Sequence, residues 1–124
     1  MVDRRQFLQA GALAAGMAAL PSVQARTQGG ARVVSTWDFG VPANQAAWKV
    51  LAQGGSALDA VEAGARWAES ELSNPTVGHC GNPDRDGVLS LDASIMDGDG
   101  RCGAVAALVD ILHPVSVALS LIHI

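Results

Sequence analysis

Apolar residues recur at helical spacing along two stretches of the chain. After Pro42, a residue favoured at the first position of a helix, they fall at three- and four-residue steps as far as Leu51. The pair Gly54-Gly55 then ends the pattern, because glycines in tandem are typical of a break between elements. We therefore predict a first helix between Pro42 and these glycines.

A second helix is predicted from about residue 57 to residue 71. Ser56 followed by Asp59 has the spacing of a capping box, in which the hydroxyl and the carboxylate each satisfy a free backbone amide. Glu69 and Glu71 near its end oppose the helix dipole, so we expect them to form a solvated end. The apolar residues continue at helical steps through Leu58, Val61, Ala65, Ala68 and Leu72.

Three other stretches predict strands. Residues 88–96 and 104–111 alternate apolar and polar positions on either side of a turn at residues 97–100, which indicates an antiparallel hairpin. Residues 32–37, with Val33 and Val34, predict an earlier first strand that ends before Gly40 and Pro42. Pro114 could open a further helix. The mixture predicts an α+β fold whose sheet needs more strands to close its core.

The first 25 residues have the order of an export signal. Arg4-Arg5 precede an apolar run over residues 10–20, and small residues end the segment near Ala25. The run is well short of the roughly 20 residues that a membrane-spanning helix needs, so we expect contact with the membrane only during export. The paired arginines indicate the twin-arginine route. We predict a periplasmic or secreted protein that is cleaved after Ala25.

Composition excludes several classes of function. The chain has 124 residues, 49% of them hydrophobic, and a formal net charge of −4 with scattered basic residues, so no nucleic-acid partner is expected. Pairing of Cys80 with Cys102 stays open. No zinc-site spacing joins His79, Cys80, Cys102 and His113, so no metal is predicted.

Residues 82–87 deserve comparison with a calcium loop, because oxygen ligands occupy positions 1, 3 and 5 and a glycine occupies position 6. The ligand expected at position 12 is missing, since Ala93 stands there. A loop starting at Asp97 fails in the same way at Leu108. We therefore interpret residues 82–87 as a polar turn that enters a strand.

Several ordered segments resemble the glycosylasparaginase family of N-terminal-nucleophile hydrolases. The similarity covers about residues 31–118, and its segments are residues 35–40 (STWDFG), 54–62 (GGSALDAVE), 83–87 (PDRDG), 91–98 (LDASIMDG), 103–107 (GAVAA) and 113–118 (HPVSVA). The resemblance implies a four-layer αββα sandwich, incomplete in this chain. It also implies self-cleavage that frees an N-terminal threonine, which acts as nucleophile and base on the side-chain amide of N-acetylglucosaminyl-asparagine. No cofactor is implied, and the full enzyme would be a homo-oligomer of cleaved chains.

The resemblance places the nucleophile downstream, in a motif that none of Thr27, Thr36 and Thr76 shares. This chain alone is therefore expected to be inactive. Two family residues can be carried over. Trp37 matches a tryptophan at the substrate pocket, although it could instead pack in the core. Thr76 matches a catalytic hydroxyl that supports the nucleophile's amine, although it could instead serve only a helix-exit turn.

Two departures from the family pattern remain. His79-Cys80-Gly81 replaces an aromatic residue and two glycines, which leaves substrate preference open. Residues 119–124 look foreign, because they equal a translation of CTG TCT CTT ATA CAC ATC, the end of a sequencing-library adapter. We expect a signal at residues 1–25, an amidohydrolase segment at 26–118 and an adapter-derived tail at 119–124. The alternatives are an isoaspartyl peptidase or plant-type asparaginase, and a non-catalytic calcium-binding module.

Overall fold

A computed structural model of the chain describes residues 30–123. The predicted signal segment at residues 1–25, with its cleavage point, lies outside the described residues. Two long helices come first, followed by a hairpin and a short helix: α1 (Gly40–Ala52), α2 (Ala57–Ser70), β1 (Leu91–Met96), β2 (Cys102–Leu108) and α3 (Pro114–Ser120). Short 3-10 turns cover Gly78–Cys80 and Leu121–His123. None of the helices within the described part is long and apolar enough to cross a membrane.

The junction between α1 and α2 follows from its glycines and the capping box. Gly54 has a φ of 83°, a left-handed conformation that glycine adopts without strain. Its amide and that of Gly55 bond back to the carbonyls of Leu51 and Val50, which closes α1 in a Schellman motif. Ser56 and Asp59 then form the predicted capping box at the start of α2. Both predicted helices are confirmed, within two residues at each end.

Small residues let α1 and α2 pack closely. Ala43 and Ala47 of α1 are buried, as are Ala60 and Gly64 of α2. A Cβ added to Gly64 would lie 3.1 Å from the carbonyl oxygen of Ala43 and 3.4 Å from the Ala47 side chain. The helices therefore meet almost backbone to backbone at this point.

The hairpin is confirmed, with an irregularity that the alternation did not predict. β1 and β2 pair antiparallel, with Ala93 opposite Val105 and Leu91 opposite Leu108, so β2 carries one extra residue between these pairs. Ala107 at this bulge has a φ of 55°, and its amide donates to the Asp92 carboxylate at 2.7 Å. The predicted alternation through residues 104–111 therefore stops short, and β2 ends at Leu108.

α3 covers the hairpin and completes a small core. Ile95 of β1 is buried with three residues of the C-terminal segment, Val115, Ala118 and Ile122. A Cβ at Gly103 would meet the carbonyl oxygen of Ala118, so β2 and α3 also approach backbone to backbone. The adapter origin of residues 119–124 stays a prediction.

The predicted first strand at residues 32–37 is wrong. These residues have no strand structure, and Val34 is 89% exposed. Strand geometry requires a hydrogen-bonding neighbour, and within residues 30–123 the two strands pair only with each other. The combination of helices with one small antiparallel sheet is that of a partial α+β domain.

Candidate functional site

Trp37 lies on the turn that leads into α1. Its carbonyl accepts the Gly40 amide at 2.9 Å, and the Asp38 carboxylate accepts the Phe39 amide at 2.8 Å, so two local bonds shape the turn. Gly40 lies directly against the side chain of Ser35, which a Cβ at this position would displace. The Trp37 side chain is 70% exposed among the described residues.

Trp37 is one of the residues that line a cleft of about 250 Å³, together with residues of α1 and α2. Its lining includes small residues from the two helices, among them Ala43, Gly64 and Ala68. An exposed tryptophan at the rim of such a cleft offers an apolar face and a single N–H donor to a ligand.

Thr76 lies in the turn that follows α2, where Asn74 holds it. The Oδ1 atom of Asn74 accepts the backbone N–H of Thr76 at 3.0 Å and the Thr76 hydroxyl at 2.6 Å. Asn74 is only 5% exposed, whereas Thr76 is exposed. The hydroxyl therefore has the turn bond that the alternative interpretation predicts, while its lone pairs stay available to a second partner.

Thr76 and Trp37 line separate clefts. Thr76 borders a cleft of about 390 Å³ together with Glu69, Gly78 and Asp92. Phe39, Ala65 and Ala68 border both this cleft and that of Trp37, so the two are neighbours. The structure brings the two predicted residues to adjoining surfaces and does not place them in one cavity.

Glu69 is a buried carboxylate, and our prediction that it forms a solvated helix end is wrong. The residue is 8% exposed. One carboxylate oxygen accepts the Val115 amide at 3.0 Å, and the other lies 3.1 Å from Nδ1 of His113. Burial raises the pKa of Glu69 above its ordinary value, although the bonds from Val115 and His113 act in the opposite direction. Glu69 thus caps the start of α3 from another helix.

The prediction for Glu69 failed because its partners are remote in sequence. The residue follows Ala68 and lies one turn beyond Ala65, both on the apolar face of α2, and this position is the signal that could have identified it. Glu71, by contrast, bonds to the amide and hydroxyl of Ser73 in the exposed turn. These hydrogen bonds lower the pKa of Glu71.

Gly78 holds the Thr76 turn against α2. Its φ is 71°, and a Cβ would collide with the backbone of Glu69 at the carbonyl oxygen. Only glycine combines this conformation with so close an approach. The chain can therefore pass directly from the Thr76 turn across the end of α2.

In two turns, at residues 84–88 and 97–101, an aspartate carboxylate accepts hydrogen bonds from nearby backbone amides. Asp84 accepts the amides of Asp86 and Val88 at 2.8 and 2.9 Å. Asp97 accepts the amides of Asp99 and Arg101 and the Arg101 guanidinium. Burial opposes ionisation of Asp97, but these bonds outweigh it and lower its pKa.

The two cysteines do not form a disulfide in this structure. Cys80 and Cys102 are both free thiols.

The sequence model of the asparaginase family, described as asparaginase, matches residues 14–123. The chain belongs to this family. An N(4)-(beta-N-acetylglucosaminyl)-L-asparaginase of Elizabethkingia miricola is 54% identical over 86 residues, which are 69% of this chain and 25% of the relative. The protein of the same name from Rattus norvegicus is 49% identical over 87 residues, with the same coverage of both chains.

Another relative of this chain has a different name. A probable isoaspartyl peptidase/L-asparaginase 3 of Arabidopsis thaliana is 44% identical over 77 residues, or 61% of this chain and 21% of the relative. The chain thus spans about a quarter of the length of the curated relatives it matches. The predicted family resemblance is confirmed.

The N-terminal segment matches a second sequence model. Residues 1–21 fit the twin-arginine translocation signal. The protein is therefore exported by this route to the periplasm or out of the cell, as the sequence predicted.

Proposed function

We propose that this protein is part of an amidohydrolase that cleaves N-acetylglucosaminyl-asparagine to aspartate and a glycosylamine. The observation that carries the proposal is the exposed side chain of Trp37, which lines a cleft together with residues of α1 and α2. A flat apolar face with one donor suits a ligand that combines a sugar ring with a polar amide. The names of the bacterial and rat relatives support this choice of substrate.

The proposed mechanism needs a threonine outside this chain. Self-cleavage of a longer precursor would free its amino group, which takes the proton from its own hydroxyl as the oxygen attacks the side-chain amide carbon. The carbon–nitrogen bond breaks, the amine returns that proton to the departing nitrogen, and aspartate stays attached as an ester. Water then hydrolyses the ester. No cofactor takes part, and the chain alone is inactive.

In this proposal, the described residues bind the substrate and support the nucleophile. Trp37 packs on the ligand and donates its indole N–H. Thr76 accepts a hydrogen bond from the threonine's amine, because its lone pairs remain free beside Asn74. The remaining strands and helices of the longer protein would complete a four-layer αββα sandwich, which assembles as a homo-oligomer of cleaved chains.

The test uses the full-length protein expressed from the intact gene. Mass spectrometry is expected to show one internal cleavage before a threonine, and the cleaved protein should release aspartate from N-acetylglucosaminyl-asparagine. Trp37→Phe should raise KM about tenfold, the scale of one lost hydrogen bond with some packing. Trp48→Phe is the matched control, since Trp48 is also exposed but lines a different cleft.

Two results would contradict the proposal. Faster turnover of a β-aspartyl dipeptide than of the glycosylated substrate would favour the isoaspartyl peptidase that the Arabidopsis relative is named for. Equal KM values for Trp37→Phe and Trp48→Phe would remove Trp37 from the substrate pocket.

A further inference from the structure

Asn74 has a buried side-chain amide, and its Oδ1 atom bonds to Thr76. Its backbone N–H bonds to the Glu71 carbonyl at 3.2 Å, and its Oδ1 accepts both the amide and the hydroxyl of Thr76. Its Nδ2 is buried without a hydrogen-bond partner among residues 30–123. A buried donor without a partner costs free energy, so the stability of this turn alone does not explain an asparagine here.

The geometry decides the direction of the Thr76 hydroxyl. The backbone N–H of Thr76 can only donate, so the Asn74 atom that faces it must be the carbonyl oxygen Oδ1. The same oxygen lies 2.6 Å from Thr76 Oγ1 and carries no proton, so the hydroxyl must donate to it. With its one proton engaged, Oγ1 presents only lone pairs to any further partner.

We infer that Asn74 is a positioning residue that makes the Thr76 hydroxyl a fixed acceptor for the α-amine of the nucleophilic threonine. This inference rests on the proposed function. The amine needs its own lone pair to take the threonine's hydroxyl proton. A Thr76 hydroxyl free to rotate could donate to that lone pair and compete for it. Asn74 prevents this competition by holding the only proton of the Thr76 hydroxyl.

The experiment compares three variants of the full-length, self-cleaved protein by the pH dependence of kcat/KM on N-acetylglucosaminyl-asparagine. Asn74→Ala frees the Thr76 hydroxyl to donate to the neutral α-amine of the nucleophile, which lowers the pKa of that amine. The acidic limb of the profile, where kcat/KM falls as the amine is protonated, should therefore move to lower pH. Its kcat should fall about tenfold with an unchanged KM, the scale of one hydrogen bond. Asn74→Asp keeps the acceptor and adds negative charge, so its acidic limb should move to higher pH.

Ser73→Ala is the matched control. Ser73 is the neighbouring residue of the same turn, and its hydroxyl donates to the exposed Glu71 carboxylate at 2.8 Å. Its profile should coincide with that of the unmodified protein. If Asn74→Ala does not fold, the Asn74→Asp variant tests the inference. An acidic limb of Asn74→Asp that stays in place or moves to lower pH overturns it.

Thr76→Val separates failure of this inference from failure of the proposed function. An unchanged kcat and acidic limb in Thr76→Val would remove Thr76 from the mechanism altogether. A different result would overturn only the role of Asn74. In that result, Thr76→Val has impaired activity, whereas Asn74→Ala keeps the kcat and the pH profile of the unmodified protein. If the inference holds, adding Asn74→Ala to Thr76→Val causes no further movement of the limb, because the hydroxyl is already absent.

Discussion

The two ends of α2 carry carboxylates with opposite surroundings. At the start, Asp59 is exposed and bonds to Ser56, three residues away, with its carboxylate 3.1 Å from the Ser56 amide and 2.7 Å from its hydroxyl. The hydrogen bonds from the Ser56 side chain and backbone lower the pKa of Asp59. At the other end, Glu69 is buried against His113 and Val115, 44 and 46 residues further along the chain. Burial raises its pKa.

The difference separates local from tertiary contributions to one helix. The capping box depends on side chains and amides within a single turn, so it can form as soon as the helix does. The Glu69 contacts exist only after α3 has docked on α2, which also removes water from the carboxylate. The start of α2 is therefore stabilised by its own residues, and its end depends on the rest of the fold.

The largest expected effect comes from Gly78→Ala, which breaks the contact at the Glu69 end. The added Cβ would collide with the Glu69 backbone in a left-handed conformation, so we expect a loss of more than about 3 kcal/mol in the free energy of unfolding. Urea denaturation of the full-length protein measures it. Gly87→Ala is the control, since Gly87 has a φ of 80° but no atom near the added Cβ. It should cost only about 1–2 kcal/mol. Equal losses would contradict the close approach.

A smaller loss is expected from Glu69→Ala, which leaves the Val115 amide without its acceptor. An unsatisfied buried donor costs about 1–3 kcal/mol, and we expect a value at the upper end because the His113 contact is lost as well. Glu71→Ala, two residues away, removes only bonds within the exposed Ser73 turn and should change stability far less. Thermal and urea unfolding of the two variants test this, and similar losses would mean that Glu69 does not anchor α3.

A still smaller effect at any one pH is expected from Glu69→Gln, which keeps the shape and an acceptor for Val115. Because the folded-state pKa of Glu69 is raised, the native protein binds more protons than the unfolded chain above the ordinary value of 4.5. This contribution to stability is present at low pH and is lost as pH rises through the folded pKa. Unfolding measured from pH 4.5 upwards should show that decline, and Glu69→Gln should remove it.

Asp59→Asn tests the carboxylate at the start of α2 in the same way. The lowered pKa of Asp59 contributes stability that is present above its ordinary value of 3.8 and lost as pH falls through the folded pKa. The Asn variant should therefore flatten the profile only on the acidic side. If Glu69→Gln and Asp59→Asn altered the same pH range, the opposite environments of the two carboxylates would be contradicted.

Local patterns predicted much of the fold. The Gly54-Gly55 stop and the Ser56–Asp59 box set the α1–α2 junction, and the apolar alternation predicted over residues 88–96 identified β1, which begins three residues later, at Leu91. Residues 32–37 failed as a strand because β propensity has no structural effect without a neighbouring strand to pair with. Trp37 and Thr76 came from the family resemblance, and their roles there stay a proposal. No local pattern indicated that Asn74 would hold Thr76.

The sequence by itself determined the export signal, the family, the two helices with their caps, and the hairpin. Each depends on contacts within a few residues or on a motif read in order. Tertiary structure decided the burial of Glu69, the cap it places on α3, the passage of Gly78 across α2 and the bulge at Ala107. The physical reason is that desolvation and close backbone approach arise only when distant segments meet, and the spacing of residues along a chain does not encode which segments those are.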